Sequence, residues 1–574
     1  MRQLILLLGV LAVVCARQAL AENLSEVRIL IDVSGSMSQN DPENVRVAAM
    51  RLLTELLPKG SRAGVWLFAE EAKVLLPSAK VTAQWRRKAL KKSALIHSRG
   101  QRTHIEQALR EVIKAWRADS LVQKNIILLT DGVVDVSRDV SQSRRSRQRI
   151  LQQLLPRLSQ LGVKVHTVAL SDEADHELLQ QLSAGSGGLY LKAERADQLQ
   201  RIFLHLLESA APPDSVPLTG NRFVVDESIE EVTLLLFRSQ DGEAPRLIRP
   251  DGVEVQLQAD SLGLKWRSEN GFDLLTMEAP MLGEWQVVAA ADPDNRAMVV
   301  TNLKLQVDTI ASLMLPNSPF VLQAHLQSEG KRINKTDFLQ MVEISLQTKL
   351  DAVETEAQIL PRHKEGVYQL EQNLPDEGSY ELSLIADGGT FARVWHQQIQ
   401  LSWPLDIELK WDAEAKRYHL NLRTKTEFRP LLASSPLLYQ KGVDAAWLPR
   451  NLERLDEQVW QISVAAGAQL KLELSLKADP LRTVTLPLIE VPALPTSIDP
   501  PPVEKTALKA DVAAEVVMQE PVEETQPEQV NWLQVSLIAL LINLVLAVGF
   551  FFARRYWHAQ SSDIEWPELQ GEAI

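Results

Sequence analysis

Residues 27–36 read Val-Arg-Ile-Leu-Ile-Asp-Val-Ser-Gly-Ser, and this stretch organises the amino-terminal third of the chain. Its apolar residues predict a buried strand that ends at Asp32, after which the chain turns through Ser34 and Ser36. In open α/β folds, the carboxyl end of such a strand lies at the sheet edge where ligands bind. One carboxylate and two hydroxyls are hard oxygen ligands of the kind that Mg²⁺ prefers. Taken alone, these residues are more typical of a hydrogen-bonded turn or a helix cap, so the rest of the chain must decide.

Apolar strands alternate with amphipathic helices from residue 26 to about residue 208. Strands are predicted at 27–31, 63–68, 73–76, 125–130, 164–169 and 189–192. Helices are predicted at 44–57, 83–92, 104–117, 143–161, 174–182 and 196–207. This alternation predicts an α/β, doubly wound domain with a largely parallel sheet covered by helices on both faces.

Two further stretches carry residues that suit the opening motif. Thr103 precedes the predicted helix 104–117, and the predicted strand 125–130 is followed by Asp131 and a glycine. Thr103 could also be a helix N-cap, with Glu106 completing a capping box. If strands 27–31 and 125–130 are neighbours, their carboxyl ends meet at one edge. The side chains that would then converge are Asp32, Ser34, Ser36, Thr103 and Asp131.

These residues resemble the metal-ion-dependent adhesion site (MIDAS) of von Willebrand factor type A (VWA) domains. That site has the pattern Asp-x-Ser-x-Ser, then a Thr, then Thr-Asp-Gly, and this chain matches it at 32–36, 103 and 130–132. The similarity continues through 162–170 and 182–188. Two details depart from the family pattern. Arg102 replaces a common Gly and could bring positive charge near the site, and Ser186 replaces a common Thr.

The resemblance implies a Rossmann-like fold for residues 22–210 and a bound Mg²⁺, or alternatively Mn²⁺ or Ca²⁺. It implies that the metal is a docking point, not a catalyst, and that a partner protein completes it with an Asp or Glu. The metal ligands implied in this sequence are Asp32, Ser34, Ser36, Thr103 and Asp131.

The pattern changes beyond residue 211 to strands separated by turns. Residues 214–310 and 311–403 are predicted to form two immunoglobulin-like β-sandwiches, on fold-level analogy, with Trp266 and Trp285 as core aromatics. Residues 404–491 are predicted to form a further β-rich domain. Nothing in these blocks carries a catalytic motif.

Both ends of the chain indicate export and membrane anchoring. Residues 1–21 have the features of a secretory signal peptide, and the only cysteine, Cys15, lies within it. Residues 492–530 form a Pro-rich, acidic linker. Residues 533–553 are uncharged and long enough for a transmembrane helix, and two arginines open the tail 554–574. The positive-inside rule then places the tail in the cytoplasm. We therefore expect a single-pass protein of the bacterial inner (cell) membrane with periplasmic N-terminal domains.

Charge and motifs narrow the function. The formal charge of −13, with basic and acidic residues mixed, disfavours nucleic-acid binding. The arginines of residues 144–149 are either a partner-facing patch or, more typically, a solvated helix face. A hydrolase is disfavoured because the sequence has no nucleophile elbow, zinc helix motif or phosphate-binding loop. We expect a non-catalytic, membrane-anchored binding protein. The alternative is a subunit of an envelope assembly or maturation complex with ATPase partners of the MoxR type.

Overall fold

A computed structural model describes residues 25–494, apart from 118–121, 196–197, 239–242, 256–263, 270, 351–352, 443–444 and 478–481. The predicted signal peptide 1–21, the linker 492–530 beyond residue 494, the membrane span 533–553 and the tail 554–574 lie outside the described residues. Within the described residues, no helix is long and apolar enough to cross a membrane.

The first part of the chain is an α/β domain, as the alternating pattern predicts. Its strands are β1 (Ser25–Asp32), β2 (Arg62–Phe68), β3 (Ala72–Lys80), β4 (Gln123–Thr130), β5 (Val163–Ala169) and β6 (Tyr190–Lys192). Its helices are α1 (Met37–Asn40), α2 (Arg46–Leu56), α3 (Ala83–Ser93), α4 (Ile105–Ile113), α5 (Val140–Arg149), α6 (Leu155–Gln160), α7 (His176–Ser186) and α8 (Leu199–Ala210).

The six strands form one sheet in the order β3-β2-β1-β4-β5-β6. All pairs are parallel except β2 with β3, which are antiparallel. Strand β1 is central and buried along its whole length. Its apolar residues 27 and 29–31 pack into the cores on the two faces, and its buried Glu26 and Arg28 pair with each other at 2.8 Å. Two apolar cores, one on each face, cover the sheet with helices. Strands β1 and β4 are therefore neighbours, as convergence of the predicted site residues requires.

Two helix predictions need correction. The capping box is wrong, because the N-cap of α4 is His104, whose Nδ1 accepts from the Gln107 N–H at 3.2 Å. The predicted helix 143–161 is interrupted by a π-helical turn at Ile150–Leu154. Pro156 follows that turn at the start of α6 and has no N–H to donate, so the wider turn accommodates the missing helical hydrogen bond.

The remaining described chain is almost entirely β-structure. The first block contains β7 (Ser215–Val216), β8 (Arg222–Val225), β9 (Ile229–Phe237), β10 (Arg246–Ile248), β11 (Glu254–Val255), β12 (Leu264–Glu269), β13 (Phe272–Glu278), β14 (Gly283–Val288) and β15 (Arg296–Thr301). The second contains β16 (Leu303–Val307), β17 (Leu313–Met314), β18 (Phe320–Ser328), β19 (Lys331–Arg332), the helix α9 (Thr336–Leu339), β20 (Glu343–Leu350), β21 (Val353–Glu354), β22 (Gln358–Ile359), β23 (Val367–Gln372), β24 (Gly378–Asp387) and β25 (Ala392–Leu401). The third contains β26 (Leu405–Asp412), β27 (Arg417–Thr424), β28 (Leu437–Lys441), β29 (Trp447–Arg450), β30 (Glu453–Asp456), β31 (Val459–Val464), β32 (Gln469–Leu476), β33 (Arg482–Thr485) and β34 (Ile489–Glu490).

Each block has its own apolar core, but the first two blocks share a sheet. Strand β7 pairs with β15 on one side and with β25 on the other, which joins both blocks in one eleven-stranded sheet. Trp285 is buried in the core of the first block, and Trp266 is half-buried against it with its Nε1 donating to Asp273 at 2.9 Å. The third block is built from two separate sheets around its own core.

The α/β domain and the first β block are packed together. Apolar side chains of β9, β13 and β15 (Leu235, Phe237, Phe272, Leu274 and Met298) lie in the same core as α2 and α8. Each large apolar side chain buried in this way contributes about 1.5–3 kcal/mol. Buried Arg296 of β15 donates to Glu208 of α8 at 2.8 Å and to Glu381 of β24 at 2.9 Å. This arginine therefore links the α/β domain to both of the first two β blocks.

Helices α4 and α5 are joined through the buried carboxylate of Glu106. Burial raises the pKa of Glu106, but hydrogen bonds from Arg149, Ser146 and Arg110 outweigh it and lower the pKa to about 2. Because the folded-state pKa lies below the ordinary value of 4.5, ionised Glu106 stabilises the fold above about pH 4.5, and this stability is lost as the pH falls towards 2.

We therefore predict that Glu106→Gln lowers the free energy of unfolding by about 2 kcal/mol at pH 7 and by much less at pH 3. Urea unfolding at both pH values measures the difference. Glu111→Gln on the same helix removes a surface pair with Lys114 and should cost below about 0.5 kcal/mol. An equal cost of Glu106→Gln at both pH values would contradict this account of the α4–α5 contact.

Candidate metal centre

The pairing of β1 with β4 brings the predicted site residues to one edge of the sheet. The parallel register places Ile31 beside Leu129, so Asp32 follows on one strand where Thr130 and Asp131 follow on the other. The Thr130 hydroxyl donates to Asp32 Oδ2 at 2.5 Å. The carboxyl ends of the two central strands are thus joined by their side chains as well as by the sheet.

The polar side chains at this edge form a connected set. Ser34 Oγ and Ser36 Oγ lie 3.1 Å apart, and Ser36 Oγ donates to Asp131 Oδ1 at 2.9 Å. The Ser34 N–H donates to Asp32 Oδ1 at 2.8 Å. Ser36 is exposed while Asp32, Ser34 and Asp131 are buried, so the set opens to solvent on the Ser36 side.

The spacing of these oxygens suits a small divalent cation. An octahedral Mg²⁺ with bonds of about 2.0–2.1 Å holds adjacent ligand oxygens about 3 Å apart. The measured separations are 3.1 Å between the two serine hydroxyls and 2.9 Å between Ser36 Oγ and Asp131 Oδ1. Ser34, Ser36 and Asp131 therefore fit neighbouring positions around an oxygen-ligated metal.

The charge of the site also calls for a cation. Asp32 is fully buried, yet among the described residues it forms no ion pair with a lysine, arginine or histidine. Burial raises the pKa of Asp32 to about 6; hydrogen bonds from Thr130 and Ser34 partly oppose this, and nearby Asp131 adds to it. A buried carboxylate without a counter-ion is unfavourable, and a bound divalent cation would compensate its charge.

Thr103 reaches the site on a loop that is held from both sides. Its N–H donates to the Asp135 carbonyl at 2.9 Å, and the Gly100 N–H donates to the Val33 carbonyl at 2.8 Å. Gly100 has no room for a side chain, because a Cβ there would lie 2.2 Å from Ala69 Cβ. Within the described residues the Thr103 hydroxyl has no hydrogen-bond partner, so it is free to bind a metal.

Gly132 lies close to the hydroxyls of both Thr103 and Ser36. A Cβ on Gly132 would lie 3.5 Å from Thr103 Oγ1 and 3.9 Å from Ser36 Oγ. The Thr103 hydroxyl therefore lies on the same side of the site as Ser36. All five residues predicted from the sequence are brought together at this edge.

The positive charge of Arg102 is compensated beside the site. Its guanidinium pairs with both carboxylate oxygens of Asp135 at 2.9 Å. Two arginines of the predicted basic run are likewise engaged inside the domain, Arg147 with Asp175 and Arg149 with Glu106. Only part of that run therefore remains available as an exposed basic face.

Sequence reasoning missed a buried ion pair behind the metal centre. Arg46, at the start of α2, donates to Asp41 Oδ2, to the Asp32 carbonyl (both at 2.6 Å) and to Ser98 Oγ at 2.7 Å. Both side chains of the Arg46–Asp41 pair are fully buried. The pair fixes the carboxyl end of β1, and a five-residue Asp–Arg spacing at a helix start was its only signal.

Asn40 was also missed. Its side-chain amide donates to Asp131 Oδ2 at 2.9 Å, which orients that carboxylate with its other oxygen towards Ser36. Thr130 was read as the last residue of a strand, but its hydroxyl orients Asp32. Both contacts depend on the fold of the turn and could not be assigned from spacing.

The fold and the candidate site together define the class of this domain: an α/β domain with a cluster of hydroxyl and carboxylate groups at the carboxyl edge of its sheet. Among the described residues there is no cluster of three or more His, Cys, Asp or Glu side chains of the kind that holds zinc. Hydroxyl and carboxylate oxygens favour Mg²⁺, Mn²⁺ or Ca²⁺ instead.

Residues 26–205 match the family model of the von Willebrand factor type A domain, so this part of the chain is such a domain. No curated protein sequence matches the chain. A structure similar to it, at 13% identity and a TM-score of 0.29, is a von Willebrand factor type A protein from Catenulispora acidiphila, with 66% of this chain and 67% of that one covered.

Two further similar structures carry a metal in their descriptions. One is proximal thread matrix protein 1 from the mussel byssus, with a zinc-occupied MIDAS motif, at 17% identity and a TM-score of 0.26. The similarity covers 32% of this chain and 47% of the mussel chain. The other is the manganese-loaded TRAP protein of Plasmodium vivax, at 20% identity and a TM-score of 0.26. The similarity covers 31% of this chain and 72% of the TRAP chain. This chain thus spans about half of the mussel protein.

We predict that Arg46→Met destabilises the chain by about 3–5 kcal/mol, because it leaves the Asp41 carboxylate buried without its partner. Urea unfolding measures the loss. Arg62→Met is the control, since Arg62 is exposed at the start of β2 and its loss should cost below about 0.5 kcal/mol. Equal stabilities of the two variants would show that the buried pair does not support the site.

Proposed function

We propose that this chain is a non-catalytic protein that binds another protein through a divalent metal, Mg²⁺ in the first instance. The ligands are Asp32, Ser34, Ser36, Thr103 and Asp131, and the partner completes the coordination with an Asp or Glu. The observation that carries the proposal is the set of Ser34, Ser36 and Asp131 oxygens at the spacing of adjacent metal ligands, open to solvent at Ser36.

Protein binding agrees with the class of the domain, because von Willebrand factor type A domains generally mediate protein–protein interaction. The metal would supply a positive centre for a partner's carboxylate. This chain's own residues hold and orient the donors: Thr130 and the Ser34 N–H fix Asp32, and Asn40 fixes Asp131.

The chemical groups at the site favour a docking role over catalysis. The polar groups that contact one another at the site are hydroxyls, carboxylates and one amide. Acid–base hydrolysis needs a histidine, lysine or carboxylate free to take up and release a proton beside the metal. Here Asp32 and Asp131 accept hydrogen bonds that fix them as ligands.

The β blocks support a role as a spacer for the binding domain. The first block shares an apolar core with the α/β domain and a sheet with the second block, so the metal site is carried on a continuous body. We also propose that the membrane span expected at 533–553 anchors the chain in the bacterial inner membrane. The candidate metal site then lies on the periplasmic side. It follows that the partner is an envelope protein.

We predict that Mg²⁺ or Mn²⁺ raises the melting temperature of the purified full chain by about 5 °C at concentrations near 100 times the dissociation constant. Asp32→Ala should abolish the rise, because it removes a buried ligand carboxylate. Ser38→Ala is the matched control: Ser38 lies two residues beyond Ser36, but its hydroxyl is exposed and bonds the Gly35 carbonyl. A parent chain without any metal-dependent shift would refute the metal site.

The topology is tested with single cysteines and a membrane-impermeant maleimide. We predict that Val353→Cys, at a position 70% exposed in the second β block, is labelled on spheroplasts. A cysteine in place of Ser561 should be labelled only after lysis, because the tail is expected in the cytoplasm. Labelling of the tail cysteine on intact spheroplasts would contradict the proposed orientation.

A further inference from the structure

A cavity of about 190 Å³ lies at the edge of the α/β sheet opposite to the metal site. Ser25, Gln123 and Lys164 line it from the amino ends of β1, β4 and β5. Lys304 and Trp395 line it from the second β block. The metal site lies at the carboxyl ends of the same strands, so the two sites are separate.

Most charges in the cavity wall are compensated by partners. Lys304 pairs with Asp214 at 3.2 Å, Arg393 with Asp226 at 2.7 Å, and Glu208 with Arg296 at 2.8 Å. These pairs leave the wall with little net charge of their own. Any excess charge must therefore come from the lining residues that lack a partner.

Lys164 is such a residue. Among the described residues, its ammonium group has neither a carboxylate within ion-pair distance nor a hydrogen-bond acceptor. Burial lowers the pKa of Lys164, as expected for a cation without a counter-ion. Lys59 and Asp308 also line the cavity without ion pairs in the described part of the chain, and their formal charges cancel. One unmatched positive charge, that of Lys164, remains.

Lys164 lines the cavity as an ammonium group without a counter-ion among the described residues. Such a group calls for a small ligand with oxygen acceptors and negative charge.

The size of the cavity limits that ligand. Pockets for drug-sized molecules measure about 300–1,000 Å³, and this cavity is smaller. We propose that it binds a small oxyanion, inorganic phosphate or a short carboxylate, with Lys164 as the counter-ion. Because the wall comes from the α/β domain and from the β blocks, the anion would stabilise the junction between them.

The test is calorimetric titration of the purified full chain with inorganic phosphate and, separately, with succinate, without divalent metal. We expect saturable binding of one of the two anions at one site per chain. Lys164→Met should weaken that binding about tenfold or more, since hydrogen bonds to charged groups contribute about 1.5–3 kcal/mol.

Lys73→Met is the matched control, because the Lys73 side chain is 80% exposed on β3 and does not line the cavity. This variant should bind the anion with the affinity of the parent. Lys164→Met should unfold at the parent's temperature or above when no anion is present, since it removes an uncompensated charge. Absence of saturable binding by either anion, or equal binding by Lys164→Met and the parent, would overturn the proposal. Asp32→Ala should leave anion binding unchanged, which separates this site from the metal site.

Discussion

The parallel pairing of β1 with β4 is the interaction on which the rest of this structure depends. It places Asp32 and Asp131 at the same sheet edge and lets the Thr130 hydroxyl reach Asp32. A shift of one residue in this register would exchange the side chains of β1 between the two helical layers and would separate Asp32 from Thr130. The packing of both cores and the contact at the sheet edge therefore require the same register.

The buried polar groups around the site hold it in place at a cost in desolvation. Arg46 and Asp41 are fully buried behind the carboxyl end of β1. Such a pair contributes little net stability, but leaving either member alone is costly, so it restricts the backbone to one arrangement. Asn40 does the same for Asp131. The oxygens of the candidate ligands are thus held in one arrangement, and this would reduce the entropy lost if a metal binds.

The sequence allowed prediction of the elements with strong local signals. All six strands of the α/β sheet, and the five residues that meet at its edge, follow from apolar periodicity and motif spacing. The helix boundaries were less predictable: a π turn before Pro156 interrupts the predicted helix 143–161, and His104 caps α4 in place of Thr103. The Arg46–Asp41 pair, and the sheet shared by the first two β blocks through β7, arise from tertiary packing between distant segments. Such contacts leave no periodic pattern in a single sequence.

The central claim is that one divalent cation binds at these five residues. Electron paramagnetic resonance of Mn²⁺ titrated into the purified full chain tests it directly, because bound and free Mn²⁺ give different signals. The account predicts one bound Mn²⁺ per chain, displaced by excess Mg²⁺, and loss of this binding in the double variant Ser34→Ala/Ser36→Ala but not in Ser38→Ala. Binding of one Mn²⁺ by the double variant with the affinity of the parent would contradict it.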